Sequence, residues 1–217
     1  MVERSNKIKY ISFDLDETLV DTRGFEDEFW HEIIPRTYSK KHKIPLEKAK
    51  KLTKKAYKEV GKDRIEYFMP HYWFKRFKID EDWITLAKKV QFKIKAFPHV
   101  KETLRKLSKR YDLVIVTHSI RKSTELKLKR TELKKFFLKI FSVIDDFKII
   151  KRNESIYLLM LKKLKINPNE LIHVGNDYKY DYLIPRKIGI RAIVIDRNKK
   201  RKGKDIIHDL RKIESIL

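Results

Sequence analysis

The stretch KYISFDLDETLVDT, Lys9 to Thr22, sets the reading of the whole chain. Residues 8–13 read as a short buried strand that stops at Asp14. Asp16 follows two residues later, and Thr18 two after that. Two ionised carboxylates at close range raise each other's pKa unless a cation compensates. A turn or a helix cap would use Asp and Thr equally well. A metal-assisted site at the end of a buried strand would use them too. The rest of the sequence decides between these readings.

With 217 residues the chain has room for one sizeable domain, or for a core domain carrying a smaller inserted one. Cysteine is absent, which excludes disulfide and thiolate chemistry and points to a reducing compartment. Met1 to Lys9 is polar and charged, unlike a signal peptide. No apolar run approaches the roughly 20 residues that span a bilayer. The expectation is a cytoplasmic protein with no membrane partner; its oligomeric state is not encoded in any feature of the sequence.

The formal net charge is +24. Such a charge can be an electrostatic footprint for nucleic acid. Here the lysines run from end to end, which reads as compositional bias, and no recognised nucleic-acid module is present. A basic nucleic-acid-binding protein therefore stands as the alternative from another class, and no specific nucleic-acid partner is expected. One stretch, Tyr38 to Lys62, is locally very basic. It could draw an anionic substrate, but a solvated helix face accounts for its lysines.

From Phe25 to about Lys95 only helical periodicity appears. Phe25, Phe29, Ile33 and Tyr38 share a face, and Pro35 should kink or interrupt their helix. PLEKAKKLTKKAYKEVG has Pro at a helix start and Gly61 at its end. DEDWITLAKKVQFKIKAF opens with acidic residues and ends near Pro98. The aromatic group His71 to Phe77 reads as the core of this helical region, with His71 left able to face a cleft.

After Pro98 short apolar runs alternate with helical ones. DLVIVT, KIFSVID, ELIHVGN and RAIVID read as strands, and residues 204–217 as a closing strand and helix. This alternation predicts an α/β fold, a Rossmann-like doubly wound parallel sheet. The predicted core is residues 1–21 and 97–217, with an inserted all-helical cap domain at 22–96. Arg121 to Lys129 reads as an exposed helix face.

Ligands in such sheets bind beyond the carboxyl ends of the strands. The first strand ends at Asp14. DLVIVT ends at Thr117, followed by His118 and Ser119. ELIHV ends at Gly175, followed by Asn176 and Asp177, and Lys148, Lys151 and Arg152 follow KIFSVID. A hard cation relieves the Asp14–Asp16 repulsion, and Mg²⁺ pairs one or two carboxylates with a substrate phosphate. Asp177 would add a carboxylate, Lys151 and Thr117 a cation and a hydroxyl. Such a set supports phosphoryl transfer through a carboxylate nucleophile, with a second carboxylate moving the proton.

These motifs resemble, in order, the four signatures of the haloacid dehalogenase superfamily: DLDET (Asp14 to Thr18), VIVTHS, KRNESIY and HVGNDYKYD. LVDT and FPHVKETLRKL resemble the edges of a helical cap, as in the subclass I phosphatases. The resemblance implies a hydrolase acting on a small phosphorylated substrate with Mg²⁺. It implies Asp14 as nucleophile and metal ligand, and Asp16 as acid/base with its main-chain carbonyl on the metal. Thr117 and Lys151 would hold the phosphoryl group, with His118 donating to phosphate. The fourth motif departs from the usual Gly-Asp pattern at Gly175-Asn176. Asp177 is the preferred metal ligand, Asn176 an alternative through its amide oxygen, and Asp181 a support for Lys151 or a metal-bound water. Dehalogenases lack the second carboxylate, because a halide leaves without a proton. Asp16 thus favours a phosphatase over a haloacid or phosphonate hydrolase, while a phosphomutase uses the same pair.

Overall fold

The computed structural model describes residues 8–150 and 153–217. The chain opens with β1 (Tyr10–Phe13), turns through residues 14–19, and forms the short β2 (Val20–Asp21). Five α-helices follow: α1 (Arg23–Glu28), α2 (Ile34–His42), α3 (Leu46–Val60), α4 (Pro70–Arg76) and α5 (Trp83–Lys89). β3 (Lys95–Ala96) then pairs antiparallel with β2 and closes this helical insertion at its root. The remainder alternates: α6 (Val100–Leu107), β4 (Asp112–Thr117), α7 (Arg121–Thr131), β5 (Lys139–Ser142), α8 (Val143–Phe147) and α9 (Ser155–Leu164). It ends with β6 (Leu171–Gly175), α10 (Ile184–Arg186), β7 (Arg191–Ile195), β8 (Ile206–Ile207) and a closing 3₁₀ helix (Leu210–Ser215).

The main sheet has the order β5-β4-β1-β6-β7-β8, with every neighbouring pair parallel. It is the doubly wound α/β sheet that the alternating pattern predicts. Its strands are almost continuously apolar because both faces are covered. Along β4, Leu113 and Ile115 enter one cluster, while Val114 and Val116 enter the cluster on the opposite face. That split is the period-2 geometry of a strand at work. The chain winds away from β1 in both directions, so the carboxyl ends of β4, β1 and β6 meet at the topological switch point.

Several elements differ from the sequence reading. KIFSVID is not one strand: β5 stops at Ser142, whose hydroxyl accepts from the Asp145 amide and starts α8. A capping serine thus ends the strand. The helix opened by Asp82 ends at Lys89, well before Pro98. The two-residue strands β2 and β3 lie below the length at which alternation is readable. Pro35 sits in the first turn of α2, and the π-helical turn Phe29–Ile33 joins α1 to α2. A proline ring clashes with the carbonyl four residues back, and a widened turn there removes the demand for that hydrogen bond.

Trp73, Phe74 and Phe77 are buried, as expected for the centre of the helical region. Tyr57 of α3 packs edge-on against Trp73 at 4.7 Å and against Trp30 at 5.9 Å. On α3 the buried Ala49, Thr53, Ala56, Tyr57 and Val60 oppose a lysine-rich solvent face. The helical layer and the sheet share one contiguous hydrophobic cluster, from Phe29 and Trp83 to Ile115 and Val174.

Candidate active site

The loop after β1 is a single tight turn. The Leu15 carbonyl accepts from both the Leu19 and Val20 amides, and Glu17 takes a left-handed conformation at φ 60°. Leu15 and Leu19 are fully buried and anchor the turn, so Asp14 and Asp16 are presented from a fixed scaffold. Their side chains meet different partners. The Thr18 hydroxyl lies 3.2 Å from Asp14 Oδ2 and 2.9 Å from the amide oxygen of Asn176. Thr18 is completely buried and has one hydroxyl proton for these two acceptors. It joins the end of β1 to the loop after β6.

Asp16 faces α7. Its Oδ2 accepts from the Ser119 hydroxyl at 2.7 Å, and its buried Oδ1 lies 2.8 Å from the Lys127 ammonium. The same ammonium donates to Glu26 Oε1 of α1 and to the Ser119 hydroxyl, each at 2.8 Å. The Asp16 contact is an ion pair without an aligned hydrogen bond, which is why that oxygen lacks a donor in the angular sense. Lys127 is only 1% exposed. Burial alone would push its pKa down; Asp16 and Glu26 more than offset this and hold it above the ordinary lysine value. The expectation that Arg121 to Lys129 is a solvated face is therefore wrong at Thr124, Leu126, Lys127 and Leu128, all buried. Thr124, Lys127, Leu128 and Thr131 recur at the three- and four-residue spacing of one helix face, which is the signal that marks Lys127.

Thr117 is buried at the end of β4, and its hydroxyl accepts from the Ser119 amide at 3.2 Å. His118 is half-buried and stacks on Phe68 of the helical insertion, with ring centroids 5.3 Å apart. Lys151, expected to hold phosphate, lies outside the described residues.

At the end of β6 the acidic residues divide. Asp177 Oδ1 accepts from the Lys179 and Tyr180 amides, each at 2.8 Å, and so caps the following turn. Asp181 is buried: Oδ2 accepts from the Asp177 amide at 2.9 Å, and Oδ1 lies 3.3 Å from His173 Nε2. His173 is itself fully buried in β6, with Nδ1 2.8 Å from the Ser12 hydroxyl of β1. The sequence reading passed over His173, though a histidine inside an otherwise apolar strand is the visible cue. Gly175 allows this arrangement, since a Cβ there would come within 2.2 Å of Asp181 Cγ.

A cavity of about 890 Å³ opens between the sheet edge and the helical insertion. Asp16, His118 and Ser119 line it from the core, and Trp30, Tyr67 and Phe68 from the helices. His31, given no role from sequence, lines it too. His71 is exposed, and among the described residues it is not part of the lining.

A family model described as haloacid dehalogenase-like hydrolase matches residues 11–195. The chain is 25% identical over 228 residues to the glyceraldehyde 3-phosphate phosphatase of Methanothermobacter thermautotrophicus, covering 97% of this chain and 100% of that one. It is 24% identical over 199 residues to the pyrophosphatase PpaX of Bacillus mycoides, covering 87% and 84%. Its structure matches that of a HAD phosphatase from Thermococcus onnurineus with a TM-score of 0.83 at 25% identity, over 96% and 97% of the two chains. The matched segment begins within β1 and ends with β7, so it takes in both carboxylates, Thr117 and the β6 loop, and this chain belongs to the haloacid dehalogenase-like hydrolases.

Proposed function

We propose that the protein is a Mg²⁺-dependent phosphatase that cleaves a small phosphomonoester through an aspartyl-phosphate on Asp14. The observation that carries this reading is the separation of the two carboxylates. Asp14 accepts from the Thr18 hydroxyl at the switch point, while Asp16 faces the cavity and accepts from the Ser119 hydroxyl. One group is suited to attack and the other to proton transfer. The relatives named as phosphatases support the same reaction class.

In the reaction an Asp14 carboxylate oxygen bonds to phosphorus, and the bond from phosphorus to the leaving oxygen breaks. Protonated Asp16 gives its proton to that oxygen, and the alcohol departs. Water then attacks phosphorus, Asp16 takes the water's proton, and the Asp14–phosphorus bond breaks to release phosphate. Thr117, His118 and Lys151 are the proposed phosphoryl-holding groups. A halide leaving group would need no proton, so Asp16 argues against dehalogenation.

The donors fit a hard cation. Among the described residues no three acidic or histidine side chains converge on one point. Mg²⁺ needs only one or two carboxylates, completing its shell with other oxygens and water. The Asp14 carboxylate, the Asp16 main-chain carbonyl and an oxygen of Asn176 or Asp177 would hold it. The Asn176 amide oxygen is one hydroxyl away from Asp14, whereas Asp177 already caps a turn, which favours Asn176. The ion would offset phosphoryl charge as the transition state forms.

We further propose that residues 22–96 act as a cap on a core of 1–21 and 97–217, closing through contacts such as Phe68 on His118. Among the described residues no helix is long and apolar enough to cross a membrane, and a cytoplasmic location belongs to the same reading. The test is turnover of p-nitrophenyl phosphate with Mg²⁺ and with EDTA. Activity that needs the metal and vanishes in Asp14→Asn is expected. Undiminished turnover in that variant refutes the nucleophile.

A further inference from the structure

The cavity lies on the leaving-group side of the site. Asp16, which protonates the leaving oxygen in the proposed reaction, lines it, whereas Asp14 does not. What fills the cavity is therefore the alcohol part of the ester. At about 890 Å³ it falls within the range of roughly 300–1,000 Å³ that encloses drug-sized ligands, far more than a three-carbon alcohol occupies.

Its walls carry two chemical signals. The first is aromatic. Trp30, Tyr67 and Phe68 are half-buried and contribute to the lining, together with the buried Phe25 and Phe29. Two of these rings are held by their neighbours: the Trp30 indole donates to Glu26 Oε2 at 2.6 Å, and Phe68 is stacked on His118. Rigid aromatic faces of this kind bind flat rings by offset or edge-on stacking.

The second signal is charge. In a chain of net charge +24, the described residues of this lining include Asp16, Glu17, Glu26 and Asp27 against Arg23 and Lys62. The cations at the wall are shared. Lys127 serves both Asp16 and Glu26, and Arg23 serves both Glu17 and Asp21. With Asp16 in the acid form that the proposed reaction needs, Lys127 balances Glu26, and the excess negative charge rests on the Glu17–Asp21–Arg23 cluster. A second anionic group on the substrate would be brought beside it with its hydration reduced, which is unfavourable.

Building on the phosphatase reading, we infer that the substrate is a phosphomonoester of an alcohol bearing a planar ring, uncharged or cationic, with no second anionic group. Pyrophosphate and carboxylate-bearing phosphates are disfavoured by the same wall.

The test compares kcat/KM of the full chain, with Mg²⁺, on esters whose leaving oxygens are chemically alike: ethyl phosphate, 2-phenylethyl phosphate and 3-phosphonooxypropanoate. Pyrophosphate is run alongside. The phenyl ester is expected to exceed the ethyl ester by about tenfold or more, mainly through KM, and the carboxylate ester and pyrophosphate to fall below it. Trp30→Ala and Phe68→Ala are each expected to bring the phenyl-to-ethyl ratio towards one. A Glu26→Gln variant should narrow the gap to the carboxylate ester. Asp14-dependent turnover with no ring preference, or with pyrophosphate or the carboxylate ester preferred, overturns this inference and leaves the phosphatase standing. No Asp14-dependent turnover of any of these esters or of p-nitrophenyl phosphate overturns both.

Discussion

The Lys127 ammonium lies 2.8 Å from Asp16 Oδ1, so the proposed acid/base of the core is tied to a buried cation on α7. Through Glu26 Oε1, also at 2.8 Å, that cation reaches the first helix of the insertion. Removing it leaves two carboxylates facing each other. Breaking a buried pair costs about 3–5 kcal/mol, but the two carboxylates are partly exposed and the loss is screened. Lys127→Met is expected to lose about 2–3 kcal/mol in urea unfolding at neutral pH, and kcat should fall more than KM rises. The lysine's pKa is raised on folding, so its contribution is complete below the ordinary value of 10.5 and fades only as pH rises through the higher folded value. The difference between wild type and variant should therefore be flat through neutral pH.

Thr18 joins Asp14 to Asn176 from a fully buried position. Thr18→Val keeps the shape and removes the hydroxyl. A lost hydrogen bond costs about 0.5–1.5 kcal/mol, and a loss in that range is expected by thermal or urea unfolding. Turnover of p-nitrophenyl phosphate should fall as well, since the Asp14 carboxylate loses its hydrogen bond from Thr18. Wild-type stability with wild-type kcat would show that the bridge has no role.

Gly175→Ala would drive a Cβ to 2.2 Å from Asp181 Cγ. Overpacking of this kind costs about 1–3 kcal/mol. Here Asp181 also holds the Asp177 amide and His173, so the loop after β6 should shift with it. We expect a lower melting temperature together with a weakened Mg²⁺ requirement curve, read as a higher metal concentration for half-maximal activity.

The general-acid role of Asp16 depends on the leaving group. Asp16→Asn is expected to slow alkyl phosphates by about 10²–10⁴-fold. p-Nitrophenolate departs readily without a proton, so the loss on p-nitrophenyl phosphate should be much smaller in the chemical step that releases it. Equal losses on both substrates would place Asp16 in some other role.

Asp209 sets an acid limb of stability. Its hydrogen bond from the Arg211 guanidinium, helped by the Arg211 amide, lowers its pKa from the ordinary 3.8 to about 2. A lowered carboxylate contributes fully above its unfolded value and loses that contribution as pH falls through the folded one. The pair is largely exposed, so the effect is at most about 1 kcal/mol. Asp209→Asn should cost that much at pH 7 and nothing below pH about 2.

How much was legible follows the physics of each signal. β1, β4, β6 and β7 are visible because strands covered on both faces must be apolar throughout. The meeting of Asp14, Thr117 and Asn176 at one edge follows from strand order alone. Lys127 escaped notice because α7 is polar nearly all round, and only the insertion packed above it makes one lysine a buried residue. The break within KIFSVID depends on one serine hydroxyl, a local capping choice that competes with a strand-forming sequence. The division of labour among Asn176, Asp177 and Asp181 could not be read from spacing, because it rests on His173 and Ser12 in two neighbouring strands.

The most direct test of the central claim is to trap the covalent intermediate. Enzyme mixed with substrate and Mg²⁺ is acid-quenched within the first turnover and mapped by mass spectrometry. Catalysis through an aspartyl-phosphate predicts one phosphoryl group on Asp14, labile to hydroxylamine and absent from Asp14→Asn. A phosphoryl group on another residue, or steady turnover by Asp14→Asn, would contradict it.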